Sequence, residues 1–287
     1  MSNKEDFQYI KVDNPRPRVN RITLNRPEKR NALINGLREE LFEELYRADQ
    51  DPEISVTIIR GEGKAFCAGY DLKQDFDHGQ PYYTAGGLSN WARHVVEGCF
   101  HIWDLAKPVI AQIHGYCLAG GTELAQSCDL VYAADDAKIG YPAVRSISPP
   151  DNQFFPWVMG MRKAMYLQLT GDSISGKEAV EYNFANESFP AAILDEEVLQ
   201  RAERVAKMPL ELLQLNKRSV HHQMDLMGMR AALRQGAELQ GLAGFSKTAT
   251  EFFAAIQNEE DGGGLTQALT KRDVEYQDGR TAPKNRT

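Results

Sequence analysis

Two nearly continuous apolar runs, VTIIR at 56–60 and PVIAQI at 108–113, are the feature that most restricts the fold. A strand with apolar residues at consecutive positions is covered on both faces, which is typical of the interior of a parallel sheet. Further strand-type runs, YIKV, VNRITL and DLVYAA, alternate with helical patterns such as NGLREELFEELYRADQD and ARHVVEGCFHIWDL. Strand, helix and strand at this spacing predict crossover connections and therefore an α/β fold with parallel pairing.

The second half of the sequence has a different pattern. After about Gly160 the strand-type runs stop, and amphipathic helical patterns such as DEEVLQRAERVAKM and SKTATEFFAAIQ follow one another. We therefore expect two regions, a core of strands and helices at 1–160 and a helical region at 161–287. Because the helical region has no sheet of its own, its apolar faces are expected to pack on the core or on a neighbouring subunit.

Composition limits the kinds of function. The chain has 287 residues, of which 42% are hydrophobic and 25% charged, as in ordinary globular proteins. Its net charge of -7 includes no block of like charge, so we expect no nucleic-acid partner. No run approaches the ~20 apolar residues that cross a bilayer, and the first residues lack the apolar segment of a signal peptide. We therefore expect no membrane partner and a cytoplasmic location.

The four cysteines, Cys67, Cys99, Cys117 and Cys128, have no CxxC spacing and no nearby pair of histidines. In apolar stretches a cysteine behaves as a small hydrophobic residue. We expect reduced thiols and no metal site.

Two glycine-bearing turns follow predicted strands. The stretch CLAGGTELAQSC places Gly120 and Gly121 after an apolar strand expected to end near Tyr116, and before a segment of helix-forming composition. The first N–H groups of a helix have no intrahelical partner, and the helix dipole behind them stabilises negative charge. The stretch GEGKAFCAGYDLK has a similar turn at Gly69 and Tyr70. N–H groups from both turns, aimed at one oxygen, would stabilise an enolate.

Three segments in this order, LNRPEKRNAL, GKAFCAGYDLK and KPVIAQIHGYCLAGGTELAQSCDLVYAADDAKIGYP, resemble the enoyl-CoA hydratase/isomerase (crotonase) superfamily. The resemblance is clear over residues 8–180 and weaker to the end of the chain. It implies a spiral of strand–strand–helix turns, with a helical C-terminal region used in the assembly of trimers or pairs of trimers. It also implies a coenzyme A thioester as substrate and no separate cofactor. The thioester carbonyl would lie between the N–H groups of Tyr70 and Gly120.

The same resemblance implies where coenzyme A binds. In this family the adenine is held by backbone groups of the segment that here reads AGYDL, and basic residues near the matching RPEKR and KR segments meet phosphate. The implied contacts are Ala68, Tyr70, Asp71, Leu72, Lys29, Arg30 and Lys271, the last from this chain or from a neighbouring subunit. The alternative interpretation of the basic side chains is that they are solvated surface charges.

Three positions decide which reaction the resemblance implies. Hydratases of the family place two glutamates beside the double bond, and Glu123 matches the first of them. Ala143 stands at the position of the second, which counts against a standard hydratase because alanine neither positions water nor delivers a proton. Asp151 matches an aspartate that several isomerases of the superfamily carry and that a dehalogenase branch uses as a nucleophile. Glu123 and Asp151 are therefore the candidate catalytic residues.

Both carboxylates also have a structural interpretation. Asp151 follows two prolines and precedes NQFFPWVMG, which suits the N-cap of a helix. Glu123, near the start of a helix, would complement the helix dipole. In the catalytic interpretation, two carboxyls beside one apolar pocket have their pKa values pushed apart, as an acid and a base at neutral pH require.

The first functional hypothesis is a cofactor-free isomerase that moves the double bond of an enoyl-CoA ester, with Glu123 and Asp151 as proton carriers. Enoyl-CoA hydration is the second. Hydrolytic carbon–carbon cleavage or halide displacement, with Asp151 as nucleophile, is the third, and three histidines near the polar loop expected at 74–90 are kept as candidates for it. A non-catalytic acyl-CoA-binding protein is the fourth, and Ala143 is the residue that favours it.

Overall fold

The computed structural model describes residues 7–74, 78–87, 90–257, 264–274 and 276. This part of the chain forms ten strands and eleven helices. The strands are β1 (Ile10–Arg16), β2 (Val19–Leu24), β3 (Val56–Gly61), β4 (Ala65–Cys67), β5 (Val109–Ile113), β6 (Tyr116–Leu118), β7 (Leu130–Ala134), β8 (Lys138–Gly140), β9 (Ser173–Ile174) and β10 (Glu187–Phe189). The helices are α1 (Asn35–Gln50), α2 (Asn90–Trp103), α3 (Gly120–Ser127), α4 (Phe155–Met159), α5 (Met161–Thr170), α6 (Gly176–Glu181), α7 (Leu194–Ala206), α8 (Leu210–Leu226), α9 (Met229–Ala243), α10 (Lys247–Gln257) and α11 (Leu265–Val274).

Six strands form one sheet in the order β1-β2-β3-β5-β7-β10. β1 and β2 are antiparallel, and the later neighbours are all parallel. Every residue of β5 and all but one residue of β3 are buried. The two continuous apolar runs are therefore the central parallel strands, as the sequence predicted.

A second sheet has the order β4-β6-β8-β9. In three successive turns of the chain, the first strand joins the six-stranded sheet and the second joins this smaller sheet: β3 and β4, β5 and β6, β7 and β8. Helices α2 and α3 follow the first two of these strand pairs. The α/β spiral of strand–strand–helix turns that the resemblance implied is confirmed.

The single strand expected from Pro108 to Tyr116 is in fact two strands in different sheets. β5 ends at Ile113, and Gly115, with φ +56, turns the chain into β6. A Cβ atom on Gly115 would lie 2.0 Å from the carbonyl oxygen of Lys64, so the close approach needs glycine. The expectation was wrong because one glycine inside an apolar run gives no break in periodicity.

The expectation that strands stop at about Gly160 is also wrong. β9 pairs antiparallel with β8, and β10 pairs parallel with β7. These strands have 2 and 3 residues, too few to show a periodic pattern. Residues 173–189 therefore complete both sheets. A role of the region 161–287 in assembly stays a prediction.

The C-terminal helices pack partly on the core of the same chain. Met229 and Leu233 of α9 form a buried cluster with Val96 and Phe100 of α2. Helices α10 and α11 form a smaller cluster that adjoins Leu72. Among the described residues, no helix has the length and apolar character needed to span a membrane. All four cysteines are free and buried.

Candidate active site

A cavity of about 1520 Å³ lies beside the two glycine turns. Its wall combines the turn after β2, the turn after β4, the start of α3, the segment after β8, and helices α9 to α11. The lining residues include Lys29, Arg30, Ala68, Tyr70, Asp71, Leu72, Trp91, Ala119, Gly120, Tyr141, Ala143, Asp151, Gln240, Phe253, Leu265 and Arg272. The spiral thus brings segments that are distant in sequence to one wall.

Glycines allow the two turns to touch through their backbones. Gly69 has φ +102, and a Cβ atom there would lie 3.0 Å from Ala119 Cβ and 3.2 Å from the backbone nitrogen of Gly120. A Cβ atom on Gly121 would lie 2.3 Å from the carbonyl oxygen of Cys67. Larger residues at these two positions would push the turns apart.

Each turn carries a backbone N–H group that has no acceptor among the described residues. Ala119 has φ 48 and ψ −122, an uncommon conformation for a residue with a Cβ atom, and it precedes Gly120, the first residue of α3. The Tyr70 backbone forms a bridge with Leu33 through the flanking residues, which leaves its own N–H unused. In the described part of the chain, the N–H groups of Tyr70 and Gly120 have no hydrogen-bond acceptor. Both residues line the cavity.

The two candidate carboxylates are both buried, and the residue that follows Asp151 binds the side chain of Glu123. Asp151 Oδ2 accepts a hydrogen bond of 3.1 Å from the hydroxyl of Tyr141. Glu123 Oε1 accepts one of 3.1 Å from the backbone N–H of Asn152. The remaining oxygens, Glu123 Oε2 and Asp151 Oδ1, are buried and have no partner among the described residues. Asp151 lines the cavity, whereas Glu123 is not part of its wall.

Burial raises the pKa of both carboxyls. Desolvation raises the pKa of Asp151 to about 7, against the opposing effect of the hydrogen bond from Tyr141. Desolvation also raises the pKa of Glu123 well above its ordinary value, and the charge of Asp151 raises it further. Raised pKa values in two neighbouring carboxyls are what the roles of one acid and one base at neutral pH require.

The structure contradicts the structural interpretation of Asp151 but not that of Glu123. Helix α4 begins at Phe155, its N-cap residue is Phe154, and no side chain caps it, so Asp151 is not a helix cap. Glu123 does lie in the first turn of α3, but its carboxylate accepts from Asn152 outside that helix.

The histidines kept as candidates do not line the cavity. His94 is buried, its Nδ1 lies 2.9 Å from the Thr84 hydroxyl, and burial lowers its pKa to about 3. His101 Nδ1 lies 2.8 Å from the hydroxyl of Tyr46. His78 accepts a hydrogen bond from Asn35 with its carbonyl oxygen. The expected loop at 74–90 contains no helix or strand among its described residues before Asn90, and 75–77 and 88–89 lie outside the described part.

The structure gathers the implied coenzyme A contacts on the cavity wall, with one exception. Lys29, Arg30, Ala68, Asp71 and Leu72 line the cavity. The N–H of Ala68 donates to the carbonyl of Arg30, which joins the basic turn to the turn after β4. Lys271, in contrast, is exposed on α11 and does not line the cavity. The basic residue of α11 on the wall is Arg272, because neighbouring positions on a helix face different directions.

The sequence did not predict the two residues that donate hydrogen bonds to the carboxylates. Tyr141 lies in the quoted GYP segment, but a lone tyrosine gives no sign that it will meet Asp151. Asn152 contributes its backbone N–H, for which the residue type gives no signal. Of the aromatic residues near the site, Trp91 lines the cavity, whereas Tyr83 is 90% exposed.

Comparison with known proteins gives a consistent result. The sequence model of the enoyl-CoA hydratase/isomerase family matches residues 16–277. The mitochondrial enoyl-CoA hydratase of Pongo abelii is 30% identical over 95% of this chain and 89% of that protein. The 2,3-dehydroadipyl-CoA hydratase of Escherichia coli is 31% identical over 90% of this chain and 95% of that protein. A crystal structure of enoyl-CoA hydratase from Mycobacterium smegmatis is 30% identical, with a TM-score of 0.85 over 96% of each chain.

The spiral and the paired turns at one cavity define a protein of the crotonase class. Within that class, the chain belongs to the enoyl-CoA hydratase/isomerase family, whose members act on coenzyme A thioesters.

Proposed function

We propose that the protein moves the carbon–carbon double bond of an enoyl-CoA thioester by removing a proton at one carbon and returning a proton at another. The observation that supports this most is the pair of buried carboxyls, each with one oxygen that has no partner in the described part of the chain. In this proposal the pair carries one ionised carboxylate and one carboxylic acid, which are the proton acceptor and the proton donor that isomerisation needs. No cofactor enters the proposed reaction.

The thioester makes the first step possible. A thioester carbonyl raises the acidity of the proton on its α-carbon, and the base of the pair removes that proton. The negative charge moves to the thioester oxygen, where the N–H groups of Tyr70 and Gly120 stabilise it. A single such donor lowers the barrier by about 3 kcal/mol in a site that excludes water.

The second step restores the neutral thioester. The acid of the pair gives its proton to the γ-carbon, and the double bond ends in conjugation with the carbonyl. Asp151, which is a residue of the cavity wall, acts as the base in this scheme, and Glu123 as the acid. Each turnover therefore exchanges the protonation states of the two carboxyls, and exchange with water resets them.

Hydration is the second candidate function, and the names of the relatives support it. The Pongo abelii and Escherichia coli proteins are both named as hydratases. In this alternative Asp151 would place the attacking water, because Ala143 lines the cavity where the second hydratase glutamate is expected. Isomerisation is preferred because an alanine at that position has no acid–base group.

We further propose that Lys29, Arg30 and Arg272 at the cavity wall meet the phosphates of coenzyme A. Guanidinium and ammonium groups favour phosphate through charge-assisted hydrogen bonds. A cytoplasmic location and the absence of a nucleic-acid partner remain part of the proposal.

Mass spectrometry of a panel of enoyl-CoA esters after incubation tests the proposed function. Isomerisation leaves the mass unchanged but changes the chromatographic retention, whereas hydration adds the mass of water and hydrolysis splits the molecule. We expect unchanged mass with a new retention time, and absorbance at the conjugated thioester band. A product one water heavier would replace isomerisation with hydration, and no change in any ester would favour a binding protein.

A further inference from the structure

A second, much smaller cavity of about 30 Å³ lies behind Tyr70. Tyr70 lines both this cavity and the large one, so its ring is the partition between them. The walls of the small cavity are mainly apolar, with Leu41, Val95 and Leu124 among them. Its size is about that of one water molecule or one carboxylate group.

Arg38 of α1 is the charged residue in this wall. It is 4% exposed, and its guanidinium is surrounded by the rings of Tyr70, Tyr82 and Trp91 at 5.7, 5.6 and 5.5 Å. Stacking of this kind holds the planar group in one orientation. The guanidinium is therefore fixed beside a space that has room for a small ligand group.

Only neutral groups accept hydrogen bonds from Arg38 in the described structure. Its Nη1 donates to the side-chain oxygens of Asn35 and Gln80 at 3.3 and 3.0 Å, and its Nη2 donates to the hydroxyl of Tyr82 at 2.9 Å. Burial raises the pKa of the Tyr82 hydroxyl, so it stays neutral. Burial and the charge of Arg38 lower the pKa of His94 to about 3, so it is neutral too.

Two other arginines with little exposed side chain do form ion pairs with carboxylates. Arg26 pairs with Asp71 at 3.2 Å, Arg145 with Asp172 at 2.9 Å. Within the described residues, no carboxylate lies within ion-pair distance of Arg38. A buried charge without a counter-charge is unfavourable, and the cost is lowered when a ligand supplies the opposite charge.

The small cavity is close to the first part of an acyl chain that extends from a thioester carbonyl at Gly120. A Cβ atom on Gly120 would lie 2.5 Å from the ring of Tyr70, and the same ring faces Arg38. Leu124, which follows the candidate acid Glu123, lines the small cavity. The ring of Tyr70 therefore separates an acyl chain whose carbonyl lies at Gly120 from the guanidinium, and the chain reaches Arg38 when that ring turns aside.

We propose that the small cavity is the distal end of the acyl site and that Arg38 binds a terminal carboxylate there, so that the preferred substrates are coenzyme A monothioesters of short dicarboxylic acids. The inference rests on the proposed function, because it assumes that the thioester lies at Tyr70 and Gly120. Guanidinium and carboxylate form paired, charge-assisted hydrogen bonds, whereas the methyl end of an ordinary acyl chain would leave the charge uncompensated.

Calorimetric binding of saturated esters tests the proposal without using the reaction. Glutaryl-CoA and adipoyl-CoA are compared with valeryl-CoA and hexanoyl-CoA, which have the same chain lengths but no carboxylate. We expect the protein to bind at least one carboxylate ester more tightly than its partner by roughly 10- to 100-fold, the range for a hydrogen bond to a charged group. Equal affinities would overturn the proposal.

Two variants assign the preference to Arg38. Arg38→Met should remove it, so that adipoyl-CoA and hexanoyl-CoA bind with equal affinity, and Arg38→Lys, which keeps the charge, should retain part of it. Arg93→Met, at an exposed position of α2, is the control and should keep the full preference. An undiminished preference in both Arg38 variants would overturn the assignment, and an undiminished preference in Arg38→Lys would overturn it alone if Arg38→Met does not fold. A protein that shows the preference but converts no enoyl-CoA would refute only the proposed function.

Discussion

The hydroxyl of Tyr141 donates a hydrogen bond of 3.1 Å to Asp151 Oδ2, and the backbone N–H of Asp151 lies 3.4 Å from the same hydroxyl oxygen. Both side chains are buried. This contact holds one carboxylate oxygen, while Oδ1 has no partner among the described residues. Tyr141 is therefore a positioning residue for the proposed base.

Removal of this hydroxyl should change the pH dependence of the reaction. Tyr141→Phe keeps the ring but loses a hydrogen bond that favours the ionised carboxylate, so the pKa of Asp151 should rise above about 7. Since the base acts when ionised, the acid limb of the pH–rate profile should move to higher pH. Tyr166→Phe, which removes a hydrogen bond to Asp172 instead, should leave the limb in place. A limb that does not move in Tyr141→Phe would show that Tyr141 has no influence on the base.

The raised pKa of Asp151 also predicts a pH dependence of stability. Its ordinary pKa is 3.8 and its value in the fold is about 7, so the native state binds the proton more tightly than the unfolded state. The stability contribution of that proton is present below the ordinary pKa and is lost as the pH rises through about 7. Asp151→Asn has no such loss, and its melting temperature relative to wild type should increase from acid to mildly alkaline pH. The exposed Asp136→Asn is the control, and a constant difference for Asp151→Asn would contradict the raised pKa.

The approach of the two turns predicts the effect of a methyl group at Gly69. Gly69→Ala places a Cβ atom 3.0 Å from Ala119 Cβ at φ +102, which strains the turn and displaces the N–H groups of Tyr70 and Gly120. Loss of one oxyanion donor lowers kcat by roughly 10²- to 10³-fold. Gly86→Ala, where no heavy atom of the described residues lies within 4 Å of the added carbon, should keep full activity. An unchanged kcat in a folded Gly69→Ala protein would separate the turns from catalysis.

The C-terminal helices predict assembly into trimers or hexamers. Helices α8 and α9 expose several large apolar side chains, which a stable monomer seldom leaves in one region. These are Leu212, Leu215, Val220, Leu226, Leu239 and Leu242. Sedimentation at micromolar concentration should show a multiple of the 32.2 kDa chain. A single species of the monomer mass would contradict the prediction.

The central fold was predictable because its elements are long and periodic. Helix α1 buries Leu37, Leu41 and Leu45 at helical spacing, and the apolar runs of β3 and β5 are buried throughout their centres. The short strands β9 and β10 were not predictable, because their pairing with β8 and β7 determines them rather than any local pattern.

The candidate site was predictable where a glycine or a carboxylate carries the signal. Gly69, Gly120 and Asp151 are such positions: Gly69 lies at the contact between the two turns, and Gly120 and Asp151 line the cavity. The positive φ of Ala119 was not predictable, because alanine is not a residue type that favours this conformation. The partners of the carboxylates come from long-range contacts: Asn152 is 29 residues from Glu123 in the sequence.

Turnover of Asp151→Asn on enoyl-CoA esters tests the central claim most directly. Asparagine keeps the size of the side chain and removes its basicity, so a proton-transfer role predicts a folded protein that binds thioester but turns over roughly 10²- to 10⁴-fold more slowly. Glu123→Gln should behave in the same way. Full activity of Asp151→Asn would contradict the account, because it would show that the pair of buried carboxyls does not carry the reaction.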